Sequence, residues 1–144
     1  MTGEAEAIRA LVERAYAPWV DVIGRRPAPM DDDYQRHVAA GEVVVLCRED
    51  AIAAIAVIVR LPDHLLLHNI AVDPAHKWQG LGREMLHFVE TEARRLSLQW
   101  VRLFTHVRMI SNLRLYQRAG FHETGRTTVD GFDRVFLEKP VNRP

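Results

Sequence analysis

The stretch from Ile70 to Leu86, I-A-V-D-P-A-H-K-W-Q-G-L-G-R-E-M-L, constrains this chain more than any other. The run from His64 to Val72 is rich in Leu, Ile and Val and predicts a strand leading into it. Asp73-Pro74 ends that strand, because Pro74 has no amide hydrogen for a ladder and biases Asp73 to an extended conformation. Gly80 and Gly82 follow, and a helical pattern then opens with Leu81, Met85, Leu86 and Val89. A strand, a glycine loop and a helix start together make an anion site. The first amides of a helix lack partners, the helix dipole adds positive character there, and glycines admit an oxyanion without a Cβ in its way. Lys77 and Arg83 flank the loop with positive charge. A bare G-x-G fits an ordinary βα turn equally well. Two nucleotide motifs are excluded: Gly82 is followed by Arg83-Glu84 rather than Lys-Ser/Thr, and Met85 stands where a dinucleotide fingerprint has its third glycine.

Around this stretch the pattern predicts a compact alternation of elements. Glu4 to Tyr16 reads as an amphipathic helix with Ile8, Leu11, Val12 and Ala15 on one face, and Tyr16 to Met30 is less regular: Trp19, Val20, Val22 and Ile23 either extend the helix after Pro18 or form a second short one, before Arg25-Arg26-Pro27-Ala28-Pro29-Met30 breaks regular structure. Asp31 is the expected cap of a helix from Asp32 to Ala40, which Gly41 ends. Glu42 to Arg48 and Ala51 to Arg60 read as an antiparallel hairpin about Glu49-Asp50. The strand His64–Val72, a helix Gly82–Ser97 and a strand Trp100–His106 form a βαβ unit, so these two strands are expected to be parallel with a right-handed crossover. A short helix, Met109 to Ala119, stops at Gly120. Strands Phe121–Thr128 and Phe132–Glu138 then flank a Val129-Asp130-Gly131 turn, and Pro140 to Pro144 reads as a frayed tail.

Length and charge narrow the class. The 144 residues suit a single domain with one core. Lys plus Arg equals Asp plus Glu at 19 each, and this balance argues against general affinity for nucleic acid or an anionic membrane. The lone Cys47 lies in an apolar run and reads as a reduced core or sheet residue; the lack of a disulfide framework fits a cytoplasmic protein. No apolar run approaches the roughly 18 residues of a membrane span, and the acidic start at Met1-Thr2-Gly3-Glu4 is unlike a signal peptide. No Cys, His and carboxylate cluster has metal-ligand spacing, so no metal is implied, and Ser111 sits in no nucleophile motif.

Two stretches together carry more than either alone: V-D-P-A-H-K-W-Q-G-L-G, and S-N-L-R-L-Y-Q-R-A-G-F from Ser111 to Phe121. The combination resembles the GNAT superfamily of acyl-CoA-dependent N-acyltransferases. Val72, Pro74, Gly80 and Gly82 match the family's pyrophosphate loop in register, and Tyr116, Gly120 and Phe121 match its later tyrosine helix. The order of elements also matches from residue 4 onward. The resemblance implies an α/β fold with a mixed, mostly antiparallel sheet flanked by helices, splayed between its two parallel strands. It implies acetyl-CoA as co-substrate. The pantetheine would pair with the backbone of Ile70, Ala71 and Val72, and the pyrophosphate would rest on the loop of Lys77, Trp78, Gln79, Gly80, Leu81, Gly82 and Arg83. Asn112 precedes Tyr116 by one helical turn and would share its cofactor-facing side.

The implied chemistry is direct attack of a primary amine, from a small molecule or a peptide, on the thioester in a ternary complex. Tyr116 is the implied general acid for the leaving thiolate, and a backbone amide, most plausibly that of Val72, the implied oxyanion donor. His68 is the candidate base, since imidazole suits proton transfer near neutral pH, although a strand histidine is often structural; His106 is a second candidate and His76 reads as solvated. Asp31, Asp32 and Asp33 read as a solvated helix start, Trp19 and Tyr34 as pocket-lining or packing residues, and Arg114 and Arg118 as partners of the CoA 3′-phosphate or a solvated helix face. The chain departs from the family pattern in three places. Lys77 replaces Arg or Gln, Met109 stands where many members place asparagine, and the strand that usually precedes the first helix is missing or truncated at Met1. Glu42–Arg48 is then a sheet edge, which invites a homodimer through that edge or through the C-terminal hairpin. A non-catalytic CoA-binding regulatory module is the alternative that the same motifs allow.

Overall fold

The computed structural model describes residues 2–141. Among the described residues there are six strands and four α-helices, in the order α1 (Thr2–Ile23), α2 (Tyr34–Ala39), β1 (Val43–Arg48), β2 (Ala51–Arg60), β3 (His64–Val72), α3 (Leu81–Arg95), β4 (Trp100–His106), α4 (Ile110–Arg118), β5 (His122–Val129) and β6 (Phe132–Pro140). The strands pair in the order β1-β2-β3-β4-β6-β5. β3 and β4 are parallel, as the βαβ reading requires, whereas β1–β2, β4–β6 and β5–β6 are antiparallel. This is the mixed, mostly antiparallel sheet flanked by helices that the resemblance implies, with β1 at one end of the strand order. The β3–β4 register runs only from His64↔Trp100 to Leu67↔Leu103, although β3 continues to Val72 and β4 to His106.

The chain divides into two compact units, one of Met1–Ile58 with Asn69–Met85 and one of Val59–His68 with Leu86–Pro144. In the first unit, Ile8, Leu11, Val12 and Tyr16 of α1 are buried, as are Ala53 to Val57 of β2. The run Ala53–Val57 is buried on both faces of its strand and so shows no alternation. α1 is longer than the expected Glu4–Tyr16, because it runs through Pro18 to Ile23. Proline removes one intrahelical hydrogen bond, and the buried stripe on the preceding turns holds the helix regardless. The irregular stretch runs over residues 24–33 and includes a 3-10 turn at Ala28–Asp31. Asp33, not Asp31, caps the next helix: its Oδ1 accepts the Arg36 amide at 3.1 Å, and α2 starts two residues later than expected. Asp31 pairs with Arg26 at 3.1 Å and Asp32 with the buried His37 at 2.9 Å, so these carboxylates are engaged rather than merely solvated. Cys47 is exposed on β1 rather than in the core.

In the second unit Leu65, Leu67, Val101, Leu103, Val135 and Leu137 supply the buried face of the strands, and Leu86, Val89 and Ala93 the buried stripe of α3. α3 ends before the expected Ser97, because Ser97 itself adopts a left-handed φ of 59°. Its amide bonds the Arg94 carbonyl, and that of Leu98 bonds Ala93 at 2.9 Å, which closes the last turn. β6 reaches Pro140, and Val141 is buried with its amide on Gln99 at 2.9 Å and its carbonyl accepting from Arg94 at 3.0 Å. The tail expected from Pro140 is therefore ordered through Val141, and its remainder, residues 142–144, lies outside the described residues. No helix among the described residues is long and apolar enough to cross a membrane.

Candidate active site

The first unit carries the strand end and the glycine loop. Asp73 donates its amide to Ala53 of β2 at 2.8 Å. Backbone groups alternate along a strand, so those of Ala71 also turn to β2, whereas those of Ile70 and Val72 turn to the opposite edge. The Ile70 carbonyl on that edge lies 3.1 Å from the Tyr16 hydroxyl, as the longer arm of a hydrogen bond whose single proton is shared with Asn69. Of the three residues expected to pair with pantetheine, Val72 therefore keeps its amide turned to the edge away from β2. Behind this edge lies a buried polar network. Tyr16 donates to Asn69 Oδ1 at 2.6 Å, Asn69 donates through Nδ2 to the Tyr34 hydroxyl at 2.8 Å, and Tyr34 donates to the Pro29 carbonyl at 2.5 Å. Burial, reinforced by Asp32, pushes the Tyr34 phenol well above its ordinary range. Tyr34, read from the sequence as lining a pocket or packing, is a packing residue that ties α2 to β3 through Asn69. The sequence places Asn69 on the strand face opposite His68 and gives Tyr16 no functional role; the N-x-A-V-D-P run offers no signal for a side chain turned inward between two tyrosines.

The loop after β3 is built by capping. Asp73 Oδ1 accepts the Ala75 amide at 3.0 Å and opens a 3-10 turn at Pro74–His76. Its other oxygen pairs with Arg14 at 2.7 Å. Burial pushes this carboxyl up, but the Arg14 contact and the Ala75 amide outweigh it, so Asp73 titrates below the ordinary carboxylate range. Trp78 and Gly80 both take left-handed backbone conformations, φ 69° and 73°, and α3 begins at Leu81. A Cβ on Gly80 would meet nothing within 4 Å, so glycine is required there by the backbone turn rather than by crowding. Lys77, Trp78, Gln79, Gly80 and Arg83 are exposed, Gly82 is half-buried, and Leu81 is buried as the first core residue of the helix. The loop thus presents backbone amides and two cations to solvent at a helix N-terminus.

The second unit carries the tyrosine helix. Tyr116 is buried on α4 with its ring edge-on to Phe121 at 6.1 Å. Burial raises its phenol above the ordinary value, which keeps it protonated throughout the neutral range. Asn112, one turn earlier, is half-buried, whereas Arg114 and Arg118 are exposed on the same helix. Met109, in the place where family members carry asparagine, is buried, and its sulfur lies 3.9 Å from the Thr105 hydroxyl. The helix ends at Gly120, φ 97°, where the Phe121 amide bonds the Tyr116 carbonyl at 3.0 Å. Lys139 holds this end: its Nζ donates to the Ala119 carbonyl and to the buried Glu90 carboxylate, each at 2.7 Å. A Cβ on Gly120 would lie 3.2 Å from Lys139 Cε, so glycine serves both the turn and the clamp.

The two candidate bases differ in their surroundings. His68 is half-buried and meets the edge of Phe104 at 5.6 Å. His106 accepts the Arg108 amide on Nδ1 at 3.1 Å, and burial lowers its affinity for a second proton. Its neutral ring therefore carries hydrogen on Nε2 and acts there as a donor. The sequence reading missed a row that crosses from β4 to β6: Phe104, Phe136 at 6.0 Å from it, and Arg134, whose guanidinium lies 4.3 Å over the Phe104 ring. Period-two alternation in Trp100–His106 and Phe132–Glu138 was the available signal.

Known proteins resemble this chain in sequence and in fold. Residues 6–121 match the acetyltransferase (GNAT) family. The [ribosomal protein bS18]-alanine N-acetyltransferase of Escherichia coli strain K12 is 35% identical over 105 residues, covering 67% of this chain and 70% of the relative. The crystal structure of the ribosomal-protein-S18-alanine N-acetyltransferase from Escherichia coli superposes with a TM-score of 0.79 at 23% identity, covering 100% of this chain and 92% of that one. A GNAT family acetyltransferase from Elizabethkingia anophelis with acetyl-CoA bound superposes with a TM-score of 0.64 at 20% identity, covering 74% and 80%.

Proposed function

Because the chain belongs to the GNAT family of acetyltransferases, we propose that this acetyl-CoA-dependent N-acyltransferase moves an acetyl group to a primary amine by direct attack in a ternary complex. The whole chain, residues 1–144, serves in this reading as a single domain of the family. The observation that supports the reading is the occurrence in one chain of a glycine loop leading into the N-terminus of α3 and a buried tyrosine, Tyr116, on α4. The amine nitrogen attacks the thioester carbonyl, the carbon–sulfur bond breaks, and the sulfur leaves as a thiolate that takes a proton from Tyr116. The amine's surplus proton passes to His68 directly or through water, because the Nε2 of neutral His106 is a donor. The Val72 amide stabilises the developing oxyanion. The relative that acts on the alanine of a ribosomal protein makes a protein N-terminal amine the first acceptor to try, ahead of small-molecule amines.

The test is a screen of N-terminal peptides and small amines with acetyl-CoA, read by release of free thiol. Transfer to at least one primary amine, with a rate that needs both substrates present together, is the expected result. Acetyl-CoA binding without transfer to any amine would overturn the reading in favour of a regulatory module, and a stable acetyl-protein intermediate would overturn the direct mechanism.

A further inference from the structure

Trp78 is the most exposed large apolar side chain among the described residues, at 95% of its full surface, whereas Ile110, Val22 and Phe88 are at 54%, 43% and 39%. It is also held in a left-handed backbone conformation, φ 69°, which a non-glycine residue adopts at a steric cost and which Asn or Asp would suit better. Retaining an indole at a strained and fully wetted position points to a ligand, since strain of this kind persists where function needs the side chain. The Lys77 ammonium lies 5.9 Å from the indole centroid, so the ring stands beside a positive charge. Two residues on, Gly80 turns the chain into the first amides of α3.

We propose that the Trp78 indole is the stacking platform for the adenine ring of CoA, with Lys77 beside it for the anionic oxygens of the same nucleotide. The inference rests on the reading that this loop takes the CoA pyrophosphate. A pyrophosphate seated there has two arms. The pantetheine arm returns along the β3 edge, and the nucleoside arm leaves over the outer surface of the loop, where the indole lies. An aromatic face suits a purine because stacking needs no particular hydrogen-bond pattern. The loop then grips the coenzyme through its phosphates and its base together.

The experiment compares wild type, Trp78→Asn and Trp78→Phe in calorimetric titrations with acetyl-CoA, and follows indole fluorescence with adenosine 3′,5′-bisphosphate as probe. Asparagine tolerates the positive φ, so it relieves the strain while removing the ring; phenylalanine keeps a ring and the strain. The expected result is an acetyl-CoA affinity at least about tenfold weaker in Trp78→Asn, largely restored in Trp78→Phe, and a nucleotide-induced fluorescence change in wild type that Trp78→Asn lacks. Wild-type affinity in Trp78→Asn, or equal losses in both variants, would overturn the stacking role and leave the proposed function standing. Failure of the wild type to bind acetyl-CoA would overturn both.

Discussion

The glycine loop of the first unit and the tyrosine helix of the second solve opposite problems. The loop is exposed from Lys77 to Gly80, and much of what it offers is backbone: two left-handed residues and a helix start, whose first amides have no partner within the helix. The helix α4 is organised around one buried side chain, with its C-terminal end fixed by a charged clamp of Lys139, Glu90 and the Ala119 carbonyl. A site made largely of backbone fails when the chain path is blocked, and its side chains tune the grip. A site made of one hydroxyl fails when that single atom is removed, although packing is unchanged. The difference teaches that the two halves of the proposed chemistry separate experimentally into affinity and turnover.

The largest effect is expected from Tyr116→Phe, which removes the hydroxyl and keeps the ring against Phe121. Turnover should fall by about 10²–10⁴-fold, or about 3–5 kcal/mol of barrier, while acetyl-CoA affinity stays within a few-fold. Steady-state rates and titrations on both proteins check this, and full activity in the variant would reject the acid role. Because burial raises the phenol above its ordinary value, the wild-type rate should also show no alkaline decline from this group near its usual pKa of about 10.

The reverse pattern is expected at Gly82→Asp, in the first turn of α3. A carboxylate there opposes the pyrophosphate, and acetyl-CoA affinity should drop by at least about a hundredfold, or about 2.7 kcal/mol, with the circular dichroism spectrum retained. A folded variant with unchanged affinity would place the phosphates elsewhere. Lys139→Met tests the clamp on the tyrosine side. Glu90 would lose its closest cation and keep only Arg94 at 3.6 Å, and the Ala119 carbonyl would lose its donor. A loss of about 2–3 kcal/mol in folding stability should follow, read by denaturant melts; a neutral result would show that the clamp contributes no stability.

The smallest effect belongs to the loop's own anchor. Arg14→Ala removes the partner of Asp73 from an exposed pair and should cost about 0.2–1 kcal/mol at neutral pH. Asp73 titrates below its ordinary value in the folded protein, so its contribution is present above the unfolded carboxyl pKa of about 3.9 and is lost as pH falls through the lower folded value. The difference between variant and wild type should therefore shrink on acidification below about pH 4. A difference that holds constant to lower pH would assign it to packing of the arginine stem.

Much of the architecture was legible in the residues themselves. The strands Ala51–Arg60, His64–Val72 and Trp100–His106 have the expected bounds, because β-branched and leucine-rich runs end at residues that cannot continue them: Glu49-Asp50, Leu61-Pro62-Asp63, Asp73-Pro74. The glycine loop was legible for the same local reason, since Gly80 needs its positive φ whatever surrounds it, and the spacing of Tyr116, Gly120 and Phe121 follows from one helix turn and its left-handed stop. Tertiary structure alone decided the rest. Pro18 breaks an isolated helix but not α1, whose buried stripe outweighs one missing hydrogen bond. Asp33 rather than Asp31 became the cap because Asp31 is drawn to Arg26 and Asp32 to His37, contacts set by how the chain folds back on itself. The partners of Asn69 and the clamp of Lys139 on Glu90 join residues by the shape of the folded chain, and no period or propensity encodes such a pairing. Local backbone rules act over a few residues and can be read from a string; choices among equivalent carboxylates, tautomers and side-chain directions are energy differences that exist only after the chain has packed.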